Sequence, residues 1–290
     1  MRRLLHAVLM LTVLVVAGPA AAGTLLAGHP VTAGLVAALT QGTGVTVETV
    51  VPASLPMGRQ ASFLTGRGEA AFAAAAARAD AVVGLRSVWP ADPLYPLARR
   101  VNVRVVEIDA ARPLDGTVTG VTTRADAPFP WLGIANAGRM ADIVAADLRR
   151  LYPAEDATIA ANLARVKRSL LEVSAHAAQA LVAAPDPSVA ALSDRFSYLA
   201  ADLGLEVRRV WALDDRDWTP TQLSELTAWL RREDIPVVLH HREPAAPIVE
   251  AVAAGGAKLV VLDTLEKGAP ADLPAAFTAM VEAVVPALAR

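Results

Sequence analysis

Short runs of β-branched and other apolar residues alternate along this chain with longer, alanine-rich segments that have helical periodicity. Charged or turn-forming residues bound the short runs, as they do in buried strands. Strands and helices that alternate in this order favour parallel sheets covered by helices on both faces. The predicted strands are Thr24–Ala27, Val45–Val51, Ala81–Val83 and Val101–Ile108 in the first half of the chain, and Val189–Leu192, Leu205–Trp211, Ile235–Leu239 and Ala257–Leu262 in the second.

One predicted helix is much longer than the others. Asp156–Val182 contains neither glycine nor proline, and a helix of this length is roughly 40 Å long. It outspans one α/β lobe, so we expect it to connect two, with a ligand cleft at the carboxyl ends of their strands. The other predicted helices are Thr32–Leu39, Glu69–Arg78, Ala137–Tyr152, Phe196–Leu203, Thr219–Arg232, Pro247–Ala254 and Ala275–Val285, the last ended by Pro286. The predicted organisation is a signal peptide (1–22), an N-terminal α/β lobe (23–155), a connecting helix (156–182) and a C-terminal α/β lobe (183–290).

The first 22 residues have the pattern of a secretory signal peptide. Arg2 and Arg3 give a positive start, Leu4–Val16 is an almost unbroken apolar run, and Ala20–Ala22 supply the small residues of a cleavage site. The run is shorter than the roughly 20 residues that cross a bilayer, which disfavours the alternative of a membrane anchor. No cysteine follows it for lipid attachment. We therefore expect export to the periplasm and a mature chain that starts at Gly23.

Composition and motifs narrow the chemistry. The chain has no cysteine, which excludes disulfides, thiolate metal ligands and cysteine nucleophiles. Its formal net charge is −2 with charges of both signs intermixed, so there is no basic stripe for nucleic acid. The sequence has no nucleophile elbow, glycine-rich phosphate loop or HExxH motif. A binding protein is therefore expected rather than an enzyme.

Several weak motifs occur in an order that is more specific than any one of them. They are Val51-Pro52, Trp131-Leu132, Asn136-Ala137, Tyr152-Pro153 with Asn162, Phe196-x-Tyr198-Leu199 before Gly204-Leu205, and Val261-Leu262-Asp263. In this order the chain resembles the periplasmic metal-binding proteins of ABC importers for zinc and manganese uptake, over nearly all of its mature length. The resemblance implies two lobes with a rigid connecting helix, a ligand in the cleft, delivery to an ABC permease in the inner membrane, and a monomer.

The resemblance also implies where a metal would be held, and the residues there have changed. The family uses histidines at three places and a carboxylate at a fourth. Here these places align with Met57, Phe129, Ser193 and Asp263, or with Asp194 in place of Ser193 if the alignment slips by one residue. Zinc needs about four nitrogen, sulfur or oxygen ligands at roughly 2.0 to 2.3 Å. A thioether, a phenyl ring, a hydroxyl and one carboxylate do not supply them, so the sequence predicts a metal-carrier scaffold with a changed ligand.

A directly bound transition metal remains one alternative. His29 at the end of the first strand, His240 or His241 at the end of another, and Asp263 together offer two nitrogens and an oxygen. Neighbouring residues on a strand point to opposite faces, so at most one of the two adjacent histidines would be used. Met57 alone offers a soft thioether for copper(I), although methionine is more often a core filler.

A metal complex or a small organic anion is the other alternative. A guanidinium forms paired hydrogen bonds with carboxylates, although each arginine taken singly fits a solvated surface charge equally well. The arginines and tryptophans predicted at the cleft are Arg59, Arg86, Arg195, Arg242, Trp89 and Trp131. The leading hypothesis is thus a solute-binding protein of an ABC importer that carries a metal complex, a small organic anion or a metal in a non-standard site. The alternative class is a periplasmic accessory or chaperone-like protein that binds a protein partner.

Overall fold

The structure, a computed structural model, describes residues 23–182, 184 and 186–289. The predicted signal peptide, residues 1–22, lies outside them. Within the described residues, no helix combines the length and the apolar character needed to cross a membrane.

Two four-stranded parallel sheets with the same topology form the two lobes. The N-terminal sheet has the strand order β2-β1-β3-β4 and the C-terminal sheet the order β6-β5-β7-β8. The strands are β1 (Thr24–Ala27), β2 (Thr46–Thr49), β3 (Ala81–Gly84), β4 (Val106–Asp109), β5 (Ser188–Ala191), β6 (Glu206–Val210), β7 (Val237–His240) and β8 (Lys258–Val261). The predicted α/β architecture with two parallel-sheet lobes is confirmed.

Helices flank both sheets and match most of the predicted segments to within a few residues. They are α1 (Pro30–Leu39), α2 (Gln60–Leu64), α3 (Glu69–Arg78), α4 (Leu94–Val101), α5 (Ile134–Leu151), α6 (Asp156–Leu181), α7 (Ser197–Leu203), α8 (Pro220–Arg232), α9 (Ala246–Ala254) and α10 (Leu273–Leu288). Thr219 caps α8 in a capping box with Gln222, as the Thr-Pro start of that helix suggests.

Two predicted boundaries are wrong. The run Val101–Ile108 is not one strand, because α4 ends at Val101 and β4 starts at Val106. Between them the Asn102 side chain donates hydrogen bonds to the carbonyls of Ala76 and Ala79 at the end of α3, a contact distant in sequence. Pro286 does not end the last helix, which continues to Leu288, a fully buried residue. Burial of this last turn offsets the hydrogen bond that the proline cannot make.

The long helix α6 packs against helices of both lobes, and its prediction as their connection is confirmed. It contacts α1 and α5 on one side and α10 on the other. Its buried residues Ile159, Val166, Leu170 and Val173 follow helical spacing along one stripe. Asn162 on α6 donates two hydrogen bonds, both 2.8 Å, to the carbonyls of Leu39 and Gln41, and so satisfies the C-terminal end of α1.

One hydrophobic core runs through both lobes. Leu25 and Val83 of the first sheet belong to the same buried cluster as Val189 and Leu239 of the second. The neighbouring strand residues point to the opposite faces and form a separate outer cluster in each lobe. Wide separation of the lobes would therefore expose the shared core to water.

A segment after β8, residues 263–272, ties the second lobe to the first, and we call it the interlobe strap. The backbone N–H of Gly268 donates to the carbonyl of Ala53 at 2.7 Å, and that of Ala271 donates to the carbonyl of Pro30 at 2.9 Å. The strap passes so close to α1 that a Cβ atom on Gly34 would overlap the Ala271 backbone. A glycine is required at this contact.

This close approach predicts opposite effects for two helical glycines. Gly34→Ala should lower the free energy of unfolding by about 1–3 kcal/mol, because the added methyl group forces the strap from α1. Gly138→Ala on α5 should raise it by about 0.5–1 kcal/mol, because a Cβ atom there has no neighbour within 4 Å. Urea denaturation of both variants measures the difference. Equal effects would show that the strap does not press on α1.

Candidate functional site

The side chains predicted for the site all lie at the carboxyl ends of strands or in the segments that follow them. Ligands of open parallel sheets bind at this edge. The residues are His29 after β1, Met57 and Arg59 after β2, Phe129 and Trp131 after β4, Ser193, Asp194 and Arg195 after β5, His240 and His241 at the end of β7, and Asp263 after β8. Contacts link five of them in a row, Met57, His29, Trp131, Phe129 and Arg195, and pair His240 with His241.

His29 caps α1 and is almost fully buried, with 2% of its surface exposed. Its Nδ1 accepts a hydrogen bond from the backbone N–H of Val31 at 3.2 Å, so its proton is on Nε2 and is directed at the Met57 sulfur, also at 3.2 Å. Burial lowers the pKa of His29 to about 3 and keeps the ring neutral. A metal on Nε2 would move the proton to Nδ1, where it would oppose the Val31 N–H. The structure therefore gives His29 a capping function.

Aromatic rings fill the space beside His29. The Trp131 ring lies edge-on to His29 and to Phe129, with centroid distances of 5.0 Å in each case. The Trp131 indole N–H donates to the carbonyl of Thr264 in the interlobe strap at 3.0 Å. Phe129 has a positive φ of 63°, unusual for a non-glycine residue. Asn136 holds this turn by donating to the carbonyl of Pro130.

Arg195 lies between Phe129 and the interlobe strap. Its guanidinium carbon is 4.7 Å from the centre of the Phe129 ring, a cation–π contact. Its Nε donates to Glu266 Oε2 at 3.1 Å, and that oxygen also accepts from the Thr264 hydroxyl at 2.7 Å. Both charged side chains keep only 26% of their surface exposed. The position between a ring and two strap residues is thus occupied by a positive charge of the protein itself.

The two adjacent histidines lie closer together than strand alternation suggests. Their ring centroids are 4.6 Å apart, because β7 ends at His240 and His241 already belongs to the following turn. His241 Nε2 accepts from Arg242 at 2.9 Å, since a guanidinium can only donate, and the proton of His241 is therefore on Nδ1. This Nδ1 is buried and has no hydrogen-bond partner among the described residues.

The electrostatic surroundings of His241 are positive. Burial and then the charges of Arg195, His240 and Arg242 lower the pKa of His241 to about 4. Burial is also the main cause of the lowered pKa of His240. Arg242 is partly neutralised by Asp215, whose carboxylate accepts from it at 2.9 Å. Neutral imidazoles beside arginines create a site that favours negative charge.

The predicted metal set is not assembled. Among the described residues, no group of three histidine or carboxylate side chains is placed to hold a metal ion. Both ring nitrogens of His29 are engaged, by the Val31 N–H and the Met57 sulfur, and Nε2 of His241 is engaged by Arg242. Asp263 is exposed, and its Oδ1 accepts from the backbone N–H of Leu265 at 2.8 Å. The three side chains have separate partners, and the donor set does not fit a divalent ion.

Most of the remaining side chains that the sequence predicts for the site also have local partners. Met57 is buried with its sulfur towards His29. The Ser193 hydroxyl accepts from the backbone N–H of Arg195. Arg59 is exposed, and the described residues offer it no ion pair. Phe129 offers only its ring.

Sequence reasoning missed two residues near the site. Glu266, the ion-pair partner of Arg195, is 71 residues away from it in the chain; its only signal is its position three residues after Asp263. Gln60 is buried and donates to the carbonyl of Gly28, and its Oε1 has no partner among the described residues. It lines a cavity of about 70 Å³ with His29 and Lys267.

Two α/β lobes that share a long connecting helix, with a cleft at their strand ends, define a two-lobed solute-binding protein. Residues 68–290 match the family described as zinc-uptake complex component A, periplasmic, and the chain belongs to that family. It is a family of substrate-binding transport proteins that deliver metal to an ABC permease. A comparison with the curated proteins gives no match.

Solved structures show the same fold. Zinc-bound AdcA of Streptococcus pneumoniae has a TM-score of 0.71 at 19% identity, over 93% of this chain and 58% of AdcA. The ZnuA-like domain of AdcA alone has a TM-score of 0.73 at 18% identity, over 93% of this chain and 100% of the domain. The Ni²⁺ complex of FpvC from Pseudomonas aeruginosa has a TM-score of 0.69 at 19% identity, over 92% and 97% of the two chains.

The buried neutral His29 predicts a loss of stability in acid. The unfolded chain takes up a proton at His29 below about pH 6.5, whereas the folded chain does so only near pH 3. Stability therefore falls as the pH drops from 6.5 towards 3, by about 2 kcal/mol at pH 5 from this group. His29→Asn keeps a capping side chain but does not titrate, so its unfolding free energy should fall less between pH 7 and pH 5.

Urea denaturation at the two pH values measures this difference. His176→Asn, on the exposed face of α6, is the control and should keep the full pH dependence. A His29→Asn variant with the wild-type pH dependence would show that His29 is protonated in the folded state.

Proposed function

We propose that this chain is a periplasmic solute-binding protein of an ABC importer whose ligand carries negative charge or acceptor oxygens: a metal complex or a small organic anion. It delivers this ligand to a permease in the inner membrane and acts as a monomer. Membership of the family supports the import function, and the signal-like N-terminus together with the periplasmic description of the family supports the location. Neither the fold nor the comparisons favour the accessory, chaperone-like function.

The observation that carries the proposed ligand class is the unpartnered N–H of His241. This donor is buried at the carboxyl end of β7, and its direction is set by the Arg242 hydrogen bond on the other ring nitrogen. A buried donor without a partner costs about 1–3 kcal/mol. A ligand oxygen that accepts from it would recover this free energy on binding.

Charge supports the same ligand class. Burial is the main cause of the lowered pKa of His241, and the charges of Arg195 and Arg242 lower it further, in a site where each arginine is also paired with a carboxylate. A carboxylate-bearing molecule is attracted there, whereas a free divalent cation is repelled. AdcA and FpvC are described with Zn(II) and Ni²⁺ bound; in this chain, no group of three histidine or carboxylate side chains among the described residues is placed to hold such an ion.

Citrate, ferric citrate and zinc chloride are suitable probes of this proposal. The purified mature protein should be stabilised by an anionic probe in thermal unfolding and should bind it in calorimetry, whereas zinc chloride should have no effect. His241→Ala should weaken binding of that probe about tenfold, because the donor is lost. His241→Asn should recover part of the affinity, because its amide also donates.

His176→Ala is the matched control, since it removes an exposed histidine from α6 and should leave binding unchanged. Binding of one equivalent of zinc at nanomolar affinity would contradict the proposed ligand class. Unaltered anion binding by His241→Ala would place the ligand elsewhere.

A further inference from the structure

We propose that Arg195 is the specificity-determining residue of the cleft: its guanidinium acts as a built-in cation that joins the two lobes and excludes free divalent metal ions. The inference concerns the same cleft as the proposed function but does not depend on which anionic ligand is carried. It follows from a disagreement between family and site. The chain belongs to a family that delivers metal, but its described residues do not assemble the ligands that a metal ion needs.

Arg195 contacts parts of both lobes at once. It belongs to the turn after β5 in the second lobe, whereas Phe129, on which its guanidinium stacks, belongs to the segment between β4 and α5. Its other partner, Glu266, is in the interlobe strap, which is hydrogen-bonded to Trp131, Ala53 and Pro30. A planar guanidinium can stack on a ring and pair with a carboxylate at the same time, which an ammonium group does less well.

Arg195 also occupies the oxygen atoms that a metal would need. Its side chain pairs with Glu266 and lies 3.8 Å from the carboxylate of Asp194. Its backbone N–H donates to the hydroxyl of Ser193. Ser193 and Asp194 are the two residues that alternative alignments put at one ligand position of the family. A cation that entered this region would compete with the guanidinium for the carboxylates of Glu266 and Asp194 and be repelled by its charge.

The ion pair of Arg195 and Glu266 is less exposed to solvent than an ordinary surface ion pair of the protein. Arg195 and Glu266 are each 26% exposed, whereas Arg208 and Glu206 on β6 are 42% and 60% exposed at a shorter distance of 2.8 Å. Exposed pairs of the second kind contribute little to stability because water and salt screen them. Arg208 is therefore a matched control for the removal of one positive charge.

The test compares Arg195→Ala, Arg195→Gln and Arg208→Ala with the wild type. Thermal unfolding in EDTA should give a lower midpoint for both Arg195 variants than for Arg208→Ala. After removal of EDTA, zinc chloride or manganese chloride should raise the midpoint of the Arg195 variants and leave the wild type unchanged. In calorimetry, Arg195→Gln should bind zinc at least tenfold more tightly than the wild type. Arg195→Gln retains most of the side-chain volume, so a readout remains if Arg195→Ala does not fold.

The double variant Arg195→Gln/Glu266→Gln tests whether Glu266 is the carboxylate that binds zinc once its partner Arg195 is removed. It should lose the zinc response and recover part of the lost stability, because neither charge is then left alone. The inference is overturned if the wild type binds zinc as tightly as Arg195→Gln, if the Arg195 variants unfold like Arg208→Ala, or if the double variant keeps the zinc response. Tight zinc binding by the wild type would contradict both this inference and the proposed ligand class. An unchanged zinc response or stability of the Arg195 variants would overturn only this inference, and failure of anion binding at His241 would leave it standing.

Discussion

The shared apolar core around α6 is the constraint on which the rest of the structure depends. Because residues of both sheets pack into one cluster, the two lobes have a fixed relation before any ligand is present. Side chains at the strand ends of both lobes therefore lie near one another, as the contact between Phe129 and Arg195 shows. Opening by a large hinge rotation would expose this core to water and is therefore disfavoured.

Charge balance in this narrow space follows from that constraint. A metal carrier can place neutral imidazoles and a carboxylate around a cation that comes from outside. Here the neutral imidazole of His29 caps α1. The cation is the guanidinium of Arg195, in the turn after β5. Without Arg195, the partly buried carboxylate of Glu266 would lose its cationic partner. The guanidinium that stacks on Phe129 also pairs with Glu266, so one side chain of the protein supplies the positive charge at this position.

The sequence predicts the architecture well because strand and helix periodicity are local. The strands, the connecting helix and the positions of the site residues at strand ends all follow from short-range patterns. The features that sequence reasoning missed depend on residues that are distant in the chain. The turn at Asn102 depends on carbonyls of α3, and Glu266 belongs to the site only because it pairs with Arg195. The tautomers of His29 and His241 likewise depend on neighbours in space, so sequence alone could place these residues at one edge but could not separate their functions.

The contrast between these two histidines is the strongest physical indication of where a ligand belongs. Both are neutral, both lie at strand ends, and both have one ring nitrogen engaged by a neighbour that fixes the tautomer. The remaining nitrogen of His29 has the Met57 sulfur as its partner, whereas that of His241 has none among the described residues. Folding alone gives no reason to keep a buried donor unsatisfied at a cost of about 1–3 kcal/mol. Under the proposed function a bound ligand supplies the missing acceptor, and the nearby Arg195 and Arg242 favour an acceptor with negative charge.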